Sequence, residues 1–300
     1  MNDISEIANI NGVITPVDRA CIPANDHGFL YGESVYETIR TYERLPFLME
    51  RHLKRLEESA AAIRLRLPWA RNHIIAQTGR TVAALRGGEL AVRIIATRGT
   101  GPLGYDPDLC AHPNLVILGR PLRPLTRQEH DVGVSAAFAS VRRNPIESLD
   151  PRIKSGNLLN NILAAHQAKE AGVAEALLLN TAGFLAEGTN SNVFLVKDGR
   201  LMTPSLDCGI LSGVTREMVL DVASSEGIPC EQGRYRAETI FGADEIFLTS
   251  TTREILPVAS LEGKPVGAGR RGPLTTRLQE LFRVRVEEIL TAQEPEGRPD

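Results

Sequence analysis

Tight turns set between strand-like runs constrain this chain more than any other feature. Asn11-Gly12 lies inside 10-INGVITP-16, Asp198-Gly199 inside 175-EALLLNTAGFLAEGTNSNVFLVKDGRLMTP-204, and Glu262-Gly263 near the end. A further turn near Arg44 divides 34-SVYETIRTYERLPFL-48, whose apolar and polar residues alternate. Asn-Gly and Asp-Gly supply the left-handed backbone that closes short hairpins. Strand-length runs on either side of such turns predict antiparallel pairing. No strand is followed by the glycine pattern of a Rossmann unit, and 99-GTGPLG-104 lacks the Lys-Ser/Thr of a P-loop. These observations argue against a doubly wound fold and for the α+β class.

Helical periodicity appears between the hairpins. Leu53, Leu56, Ala60 and Ile63 fall on one face of a helix expected over 50–66, with Pro68 as its stop. Further helices are expected over 72–86, 157–171, 215–226 and 273–291, three of them followed by glycine (Gly87, Gly172, Gly227). Strands are expected at 90–99, 114–122, 132–140 and 245–251, with three strand-like runs in 175–204. The stretch 119-GRPLRPLTRQEH-130 has two prolines, three arginines and no periodicity, and reads as a linker. A chain of 300 residues accommodates two modest domains. The expected organisation is a small N-terminal α/β domain over 1–120, a linker over 121–131, and a larger C-terminal domain over 132–291 with a hairpin-rich sheet. A polar tail covers 292–300.

Composition removes several function classes. A net charge of −3 gives no reason to expect nucleic acid or an anionic membrane as partner. No apolar run approaches the roughly 18 residues of a membrane span, and MNDISEIANING lacks the basic and apolar regions of a signal peptide. Cys21, Cys110, Cys208 and Cys230 form no C-x-x-C pair, so neither a disulfide framework nor a metal site is expected. A reducing cytoplasm is the expected location.

The chemistry starts from a lysine. Only five of the 34 basic residues are lysine, yet Lys154 stands in an arginine-rich neighbourhood with Arg142, Arg143 and Arg152. Of the two basic side chains, only lysine can shed its proton near neutral pH and attack a carbonyl. Gly213 precedes a helix whose first turn carries Thr215, and backbone N–H groups at such a start can hold phosphate, or the threonine can simply cap the helix. In 249-TSTTREILP-257 the hydroxyls around Thr251 can hold an anion or mark an ordinary strand end. Arg55 is either a phosphate ligand beside a buried stripe or part of a solvated helix face. Glu187 reads as a loop residue between two apolar strands. It is a turn carboxylate, or the acceptor that keeps the ring nitrogen of pyridoxal phosphate protonated, where a carboxylate favours the charged form.

Taken together, these motifs resemble the fold type IV pyridoxal-phosphate enzymes, which include branched-chain aminotransferases, D-amino acid aminotransferases and aminodeoxychorismate lyases. The resemblance runs from about Asn11 to Leu281, with its blocks in family order. They are 27-HGFLYGESVYETIR-40, 51-RHLKRLEESA-60, 93-RIIATRGTGPLGYDP-107, 152-RIKSGNLLNNILA-164, 187-EGTNSNVFLV-196, 211-LSGVTRE-217 and 249-TSTTREILPV-258. It implies a two-domain, D-amino acid aminotransferase-like fold with pyridoxal 5′-phosphate as cofactor. It makes Lys154 the Schiff-base lysine and proton carrier, and puts Glu187 at the pyridine nitrogen. Arg55, Val214, Thr215 and Thr251 would hold the phosphate. The N–H groups of Thr251 and Thr252 would bind the substrate carboxylate, and Tyr31, Tyr36, Arg40 and Arg93 would line the substrate pocket. It also implies a homodimer or larger assembly, in which a partner's loop around 103–106 closes the site.

Within the family, 93-RIIATRGTGPLGYDP-107 is similar to the TRG-x-G-x-x-G-x-DP block of branched-chain enzymes, and Arg93 matches their pocket arginine. Leu103 and Tyr105 stand where D-amino acid enzymes place an arginine and a histidine, and Leu103 also departs from the arginine of the lyases. Conversely, 249-TSTTRE-254 is closer to the D-amino acid enzymes, and Ala91 replaces a tyrosine common in branched-chain ones. The expected reaction is ping-pong transfer of an amino group between an α-amino acid, foremost L-leucine, L-isoleucine or L-valine, and 2-oxoglutarate. D-amino acid or amine transamination, aminodeoxychorismate lysis and a non-enzymatic binding protein on the same scaffold are the alternatives.

Overall fold

The structure, a computed structural model, describes residues 6–293. The expected polar tail, 292–300, lies mostly outside them. The chain divides into two compact units, Met1–Arg123 with Ile153–Leu158, and Pro124–Arg152 with Leu159–Asp300. The α+β expectation holds, with one sheet in each unit.

The first unit contains β1 (Ile7–Ile10), β2 (Val13–Pro16), α1 (His27–Tyr31), β3 (Ser34–Tyr42), β4 (Leu45–Pro46), α2 (Met49–Ala62), α3 (Arg71–Ala84), β5 (Leu90–Thr97) and β6 (Asn114–Pro121). Its six strands run in the order β2-β1-β6-β5-β3-β4, every pair antiparallel. Both expected hairpins are present. Asn11 and Gly12 have φ of 50° and 91°, and Glu43 and Arg44 have 49° and 65°. Two left-handed residues in succession match the twist of the flanking strands. Arg44 turns its cost to use, because its guanidinium donates to the carbonyls of Val82, Leu85 and Gly87 at the end of α3.

Along β3 the sequence alternates as predicted. Val35, Glu37, Ile39 and Thr41 are buried, and Tyr36, Thr38, Arg40 and Tyr42 are half-buried. Val35 and Ile39 join Leu53, Leu56 and Ala60 of α2 in the core of this unit. Helix α2 ends earlier than expected. Arg64 enters the left-handed region at φ 53°, and Arg98 donates to the carbonyls of Ile63 and Arg64, so the stop is this capped turn rather than Pro68.

The second unit contains α4 (Arg127–Asp131), β7 (Val134–Phe138), α5 (Leu159–Glu170), β8 (Glu175–Leu179), β9 (Leu185–Gly188), β10 (Asn192–Lys197), β11 (Arg200–Pro204), α6 (Val214–Ser225), β12 (Cys230–Gly233), α7 (Ala237–Phe241), β13 (Glu245–Ser250), β14 (Glu254–Leu261), β15 (Lys264–Pro265) and α8 (Pro273–Gln293). The strand order is β12-β11-β10-β13-β14-β7-β8-β9, with β15 on β14. Hairpins dominate, but three pairs are parallel: β7 with β8, β7 with β14, and β11 with β12. Helix α5 connects β7 to β8 and α6 connects β11 to β12, the helical crossovers that parallel neighbours require.

Two further differences bear on the site. Part of the expected linker is ordered, since Thr126 and Glu129 close a capping box that starts α4. Residues 153–158 cluster with the first unit instead of staying with 132–152. The reason is a free strand edge. Strand β4 pairs only with the end of β3, and the start of that edge is filled by Tyr36 N–H donating to Lys154 O (2.9 Å) and Gly156 N–H donating to Ser34 O (2.8 Å). Unpaired strand edges are satisfied in this way wherever an extended segment is available. Helix α5 accordingly begins at Leu159 rather than 157. No helix among the described residues is long and apolar enough to cross a membrane.

Candidate active-site residues

In the first unit, Lys154 is held by its own backbone. Its carbonyl accepts from Tyr36, and its N–H donates to Ser59 Oγ of α2 at 3.1 Å. Both main-chain groups are thus used, which leaves the side chain to take its direction from the surface of the sheet. Its Nζ lies 4.5 Å from the centroid of the Tyr36 ring, and the Arg93 guanidinium lies 3.8 Å from the same centroid. A phenol ring attracts both cations through its negative face. The register pairs Thr38 with Arg93, Tyr36 with Ile95, and Arg40 with Ala91. Directly opposed residues of antiparallel strands point to the same side, so Tyr36, Arg40 and Arg93 share one half-exposed face. Arg40 stacks on Tyr42 at 4.0 Å. Tyr31 ends α1, and its hydroxyl accepts from Gly104 N–H at 3.2 Å, tying the 101–105 loop to that helix.

Arg55 occupies the buried side of the same sheet. Its Nε and one terminal nitrogen donate to the two carboxylate oxygens of Glu37, each at 2.7 Å, and His52 Nδ1 lies 2.7 Å from Glu37 Oε2. Glu37 and His52 are fully buried. Burial alone would raise the Glu37 carboxyl, but the charge and hydrogen bonds of Arg55, helped by His52, outweigh it and hold the group at about 2. For His52, burial dominates over the Glu37 charge and lowers its pKa, so the ring is neutral and donates Nδ1–H to Glu37. Glu37 therefore fixes the plane of the Arg55 guanidinium through a two-point contact. Ser59, one turn on from Arg55, carries the hydrogen bond to Lys154. Glu37 and His52 were not singled out from sequence, although the alternation of β3 makes Glu37 a charge on a buried face.

In the second unit, Glu187 lies in strand β9 and not in a loop, a correction to the sequence reading. The run Leu185–Gly188 is only four residues long and pairs with β8 through Leu177–Gly188 and Leu179–Leu185, with an irregularity between. Its carboxylate is buried. Oε1 accepts from Arg143 Nε at 2.8 Å, and Oε2 accepts from Leu211 N–H at 3.0 Å and from the amide of Asn192 at 3.4 Å. Arg143 is itself buried and donates to Asn160 Oδ1 at 3.0 Å. Asn161 donates to Thr189 O, so the adjacent Asn160 and Asn161 both serve this region. Arg143 stood in the arginine-rich stretch but was given no role there.

Leu211 leads into α6. Gly213 is its N-cap, with no side chain capping the first turn, although Val214 and Thr215 are buried. A side chain at 213 would meet Asn192 Oδ1 at 1.9 Å, so the close approach of Asn192 demands glycine. Asn192 starts β10 and pairs with Thr249 near the end of β13. Thr251 and Thr252 follow in the turn between β13 and β14 and are partly exposed. Glu187, the start of α6 and the Thr251-Thr252 turn therefore gather at one end of the nine-stranded sheet.

The donor set fits pyridoxal phosphate. A buried helix start without a capping side chain leaves oriented N–H groups and a positive dipole end for an anion. Thr251 and Thr252 offer hydroxyls and turn N–H groups, Lys154 offers an amine, and Glu187 offers a buried carboxylate held in place on both oxygens.

Comparison with known proteins agrees with this chemistry. Residues 34–261 match the model of the amino-transferase class IV family. A Methanocaldococcus jannaschii protein named "Putative branched-chain-amino-acid aminotransferase" is 37% identical over 274 residues, covering 91% of this chain and 94% of that protein. The D-alanine aminotransferase of Bacillus licheniformis is 32% identical over 269 residues, covering 90% and 93%. The branched-chain amino acid aminotransferase structure from Escherichia coli superposes with a TM-score of 0.89 at 28% identity, covering 93% and 94%. The chain belongs to the class IV aminotransferases, enzymes of fold type IV. Its cofactor is pyridoxal 5′-phosphate, and related structures carry derivatives of it.

Proposed function

We propose that this aminotransferase moves the amino group of a branched-chain L-amino acid to 2-oxoglutarate, with Lys154 as the residue that carries the cofactor and the proton. The observation that supports it most is the placement of Lys154 and Arg93 against one ring, Tyr36, on the face that also bears Arg40. The bound cofactor supplies an electron-withdrawing ring that stabilises negative charge at the substrate α-carbon. The Lys154 amine takes the α-proton and returns it, acting as base and then as acid. Glu187, fixed by Arg143 and Leu211 N–H, holds a proton at the ring nitrogen. Arg55, the N–H groups of Val214 and Thr215, and Thr251 hold the phosphate. Thr251 and Thr252 N–H groups bind the substrate carboxylate.

Tyr31, Tyr36 and Leu103 give an aliphatic side chain an apolar surface. Arg93 and Arg40 supply the positive charge that the distal carboxylate of glutamate or 2-oxoglutarate needs, so one site serves both half-reactions. We also infer a homodimer, supported by Leu103 and Tyr105, which are 79% and 91% exposed on one loop, an apolar pair that a second copy would cover. A cytoplasmic location suits four cysteines that are all free thiols.

The D-amino acid reading is favoured by one observation, the likeness to D-alanine aminotransferase together with the 249-TSTTRE-254 block. A panel of half-reactions decides between them. The purified enzyme is mixed with L-leucine, L-isoleucine, L-valine, L-glutamate or D-alanine, and conversion of the cofactor to its pyridoxamine form is followed by absorbance. Conversion by the L-amino acids is the expected result. Conversion by D-alanine alone would overturn the branched-chain assignment. Release of pyruvate from aminodeoxychorismate with no amino acceptor would replace transfer by lysis.

A further inference from the structure

Glu175, the first residue of β8, is a buried carboxylate that none of the roles above uses. Its Oε1 accepts from Thr189 N–H at 3.0 Å, from the Thr189 hydroxyl, and at 3.2 Å from the N–H of Ala176. Its Oε2 accepts from Ser191 Oγ at 3.1 Å and from the Arg253 guanidinium at 2.8 Å. Arg253 also donates to Asn190 Oδ1 and, through Nε, to Ser250 Oγ at 3.3 Å. One carboxylate therefore joins two segments that are 60 or so residues apart in sequence. One is the loop 188–191, which follows Glu187 directly. The other is the turn 251–253, which contains Thr251 and Thr252. The packing leaves no slack, because a side chain at Gly188 would lie 2.3 Å from Ser191 Oγ and 3.2 Å from the Glu175 carboxyl carbon.

We propose that Glu175, acting through Arg253, is a positioning residue that holds the Thr251-Thr252 turn at the spacing from Glu187 required to bind the cofactor phosphate and the substrate carboxylate. The argument is one of geometry and charge. A three-residue turn of partly exposed residues has few anchors of its own, since its threonine groups must be kept for the ligand. Arg253 is the one charged member of that turn, and its charge is offset by a carboxylate that is 1% exposed. A charge-assisted bond of this kind fixes direction as well as distance. A ligand-binding turn loses affinity when the groups that orient it are loosened, because ordering must then be supplied on binding. The inference rests on the reading of Thr251 and Thr252 given above.

The test compares the full-length chain with Glu175→Gln, which keeps the shape but removes the charge that holds Arg253. Affinities for pyridoxal phosphate and for pyridoxal are measured by absorbance titration after removal of bound cofactor. Thermal melting of the cofactor-free chains and KM and kcat for the amino acid are recorded alongside. The expected result is a roughly 10-fold loss of pyridoxal phosphate affinity, little change for pyridoxal, a raised KM, and a smaller change in kcat. Arg253→Lys, a milder change at a partly exposed position, should move the same quantities in the same direction by roughly threefold. Glu175→Gln and Arg253→Gln together should be no worse than either alone, as members of one pair behave.

Equal affinities for pyridoxal phosphate in Glu175→Gln and wild type would overturn the inference. So would equal losses for pyridoxal and pyridoxal phosphate in step with a fall in melting temperature, the mark of a purely structural role. If Glu175→Gln does not fold, an unchanged phosphate preference in Arg253→Lys would overturn it as well. A wild-type chain that binds no pyridoxal phosphate would instead remove the reading of Thr251 and Thr252 on which the inference rests.

Discussion

At the scale of single residues, a half-exposed lysine and a buried ion pair carry the chemistry. Lys154 has both backbone groups tied and its amine against Tyr36. Lys154→Arg keeps the cation and the ring contact but lacks a nucleophilic amine. It is expected to fold, to bind pyridoxal phosphate non-covalently, and to lose conversion by L-amino acids by 1,000-fold or more; single-turnover absorbance measures this, and conversion within tenfold of wild type would contradict it. Arg143 and Glu187 are a buried pair at 2.8 Å. Arg143→Gln leaves a buried carboxylate without its counter-charge, which costs about 3 kcal/mol. Urea denaturation should show that loss, and an unchanged midpoint would mean that Asn192 and Leu211 suffice for Glu187.

Lys154 stands out in the sequence because lysine is rare in this chain, and Glu187 because it opens a family block; their roles are part of the proposed function. Arg143, Glu175 and Arg253 do not stand out, since their pairings join positions 44 and 78 residues apart. Nothing in a local pattern tells a buried arginine with a distant carboxylate from one on a solvated surface.

At the scale of elements, turn chemistry and alternation made most of the architecture readable. Asn11-Gly12 and Glu43-Arg44 are hairpin turns as expected, and the buried and half-buried faces of β3 follow its sequence. Four features escaped. The parallel strand β12 and the short α7 are too brief to show a period. The four-residue β9 looked like a loop because two of its residues are glutamate and glycine. The segment 153–158 joins the edge of β3, and that edge is free only because β4 is so short.

Gly156 is required there. A Cβ would stand 2.2 Å from Ser34 Oγ, so Gly156→Ala should destabilise the segment by about 2 kcal/mol and raise the cofactor dissociation constant. Ser34→Gly removes the obstructing hydroxyl and should restore much of the loss in the double variant. Thermal melts of the four chains check this, and a fully additive outcome would show that the clash is not with Ser34.

At the scale of the whole molecule, stability should fall on the acid side for two identified reasons. Glu37 titrates at about 2 in the fold against an ordinary value of 4.5, so its contribution is complete above 4.5 and is lost as pH falls toward 2. The span corresponds to roughly 3 kcal/mol, an order-of-magnitude figure for a coupled buried pair. His52 is held neutral by burial, so below its ordinary 6.5 the unfolded chain binds the proton more readily and stability declines further. Both groups lower stability as the pH falls. Glu37→Gln should therefore be less stable at pH 7, yet show a flatter decline between pH 4.5 and 2 in denaturant titrations. A decline as steep as that of wild type would assign acid sensitivity to other groups.

Family membership fixes the class of chemistry at this scale, and in the proposed function the groups around Arg93 and Leu103 select the particular amino acid. The proposed function requires that the cofactor be carried by Lys154. The most direct measurement is borohydride reduction of the enzyme with its cofactor, followed by proteolysis and mass spectrometry. The account predicts a reduced pyridoxyl group on the peptide containing 152-RIKSGN-157, at Lys154. A reduced adduct on Lys54, Lys169, Lys197 or Lys264, or none at all in cofactor-loaded enzyme, would contradict it.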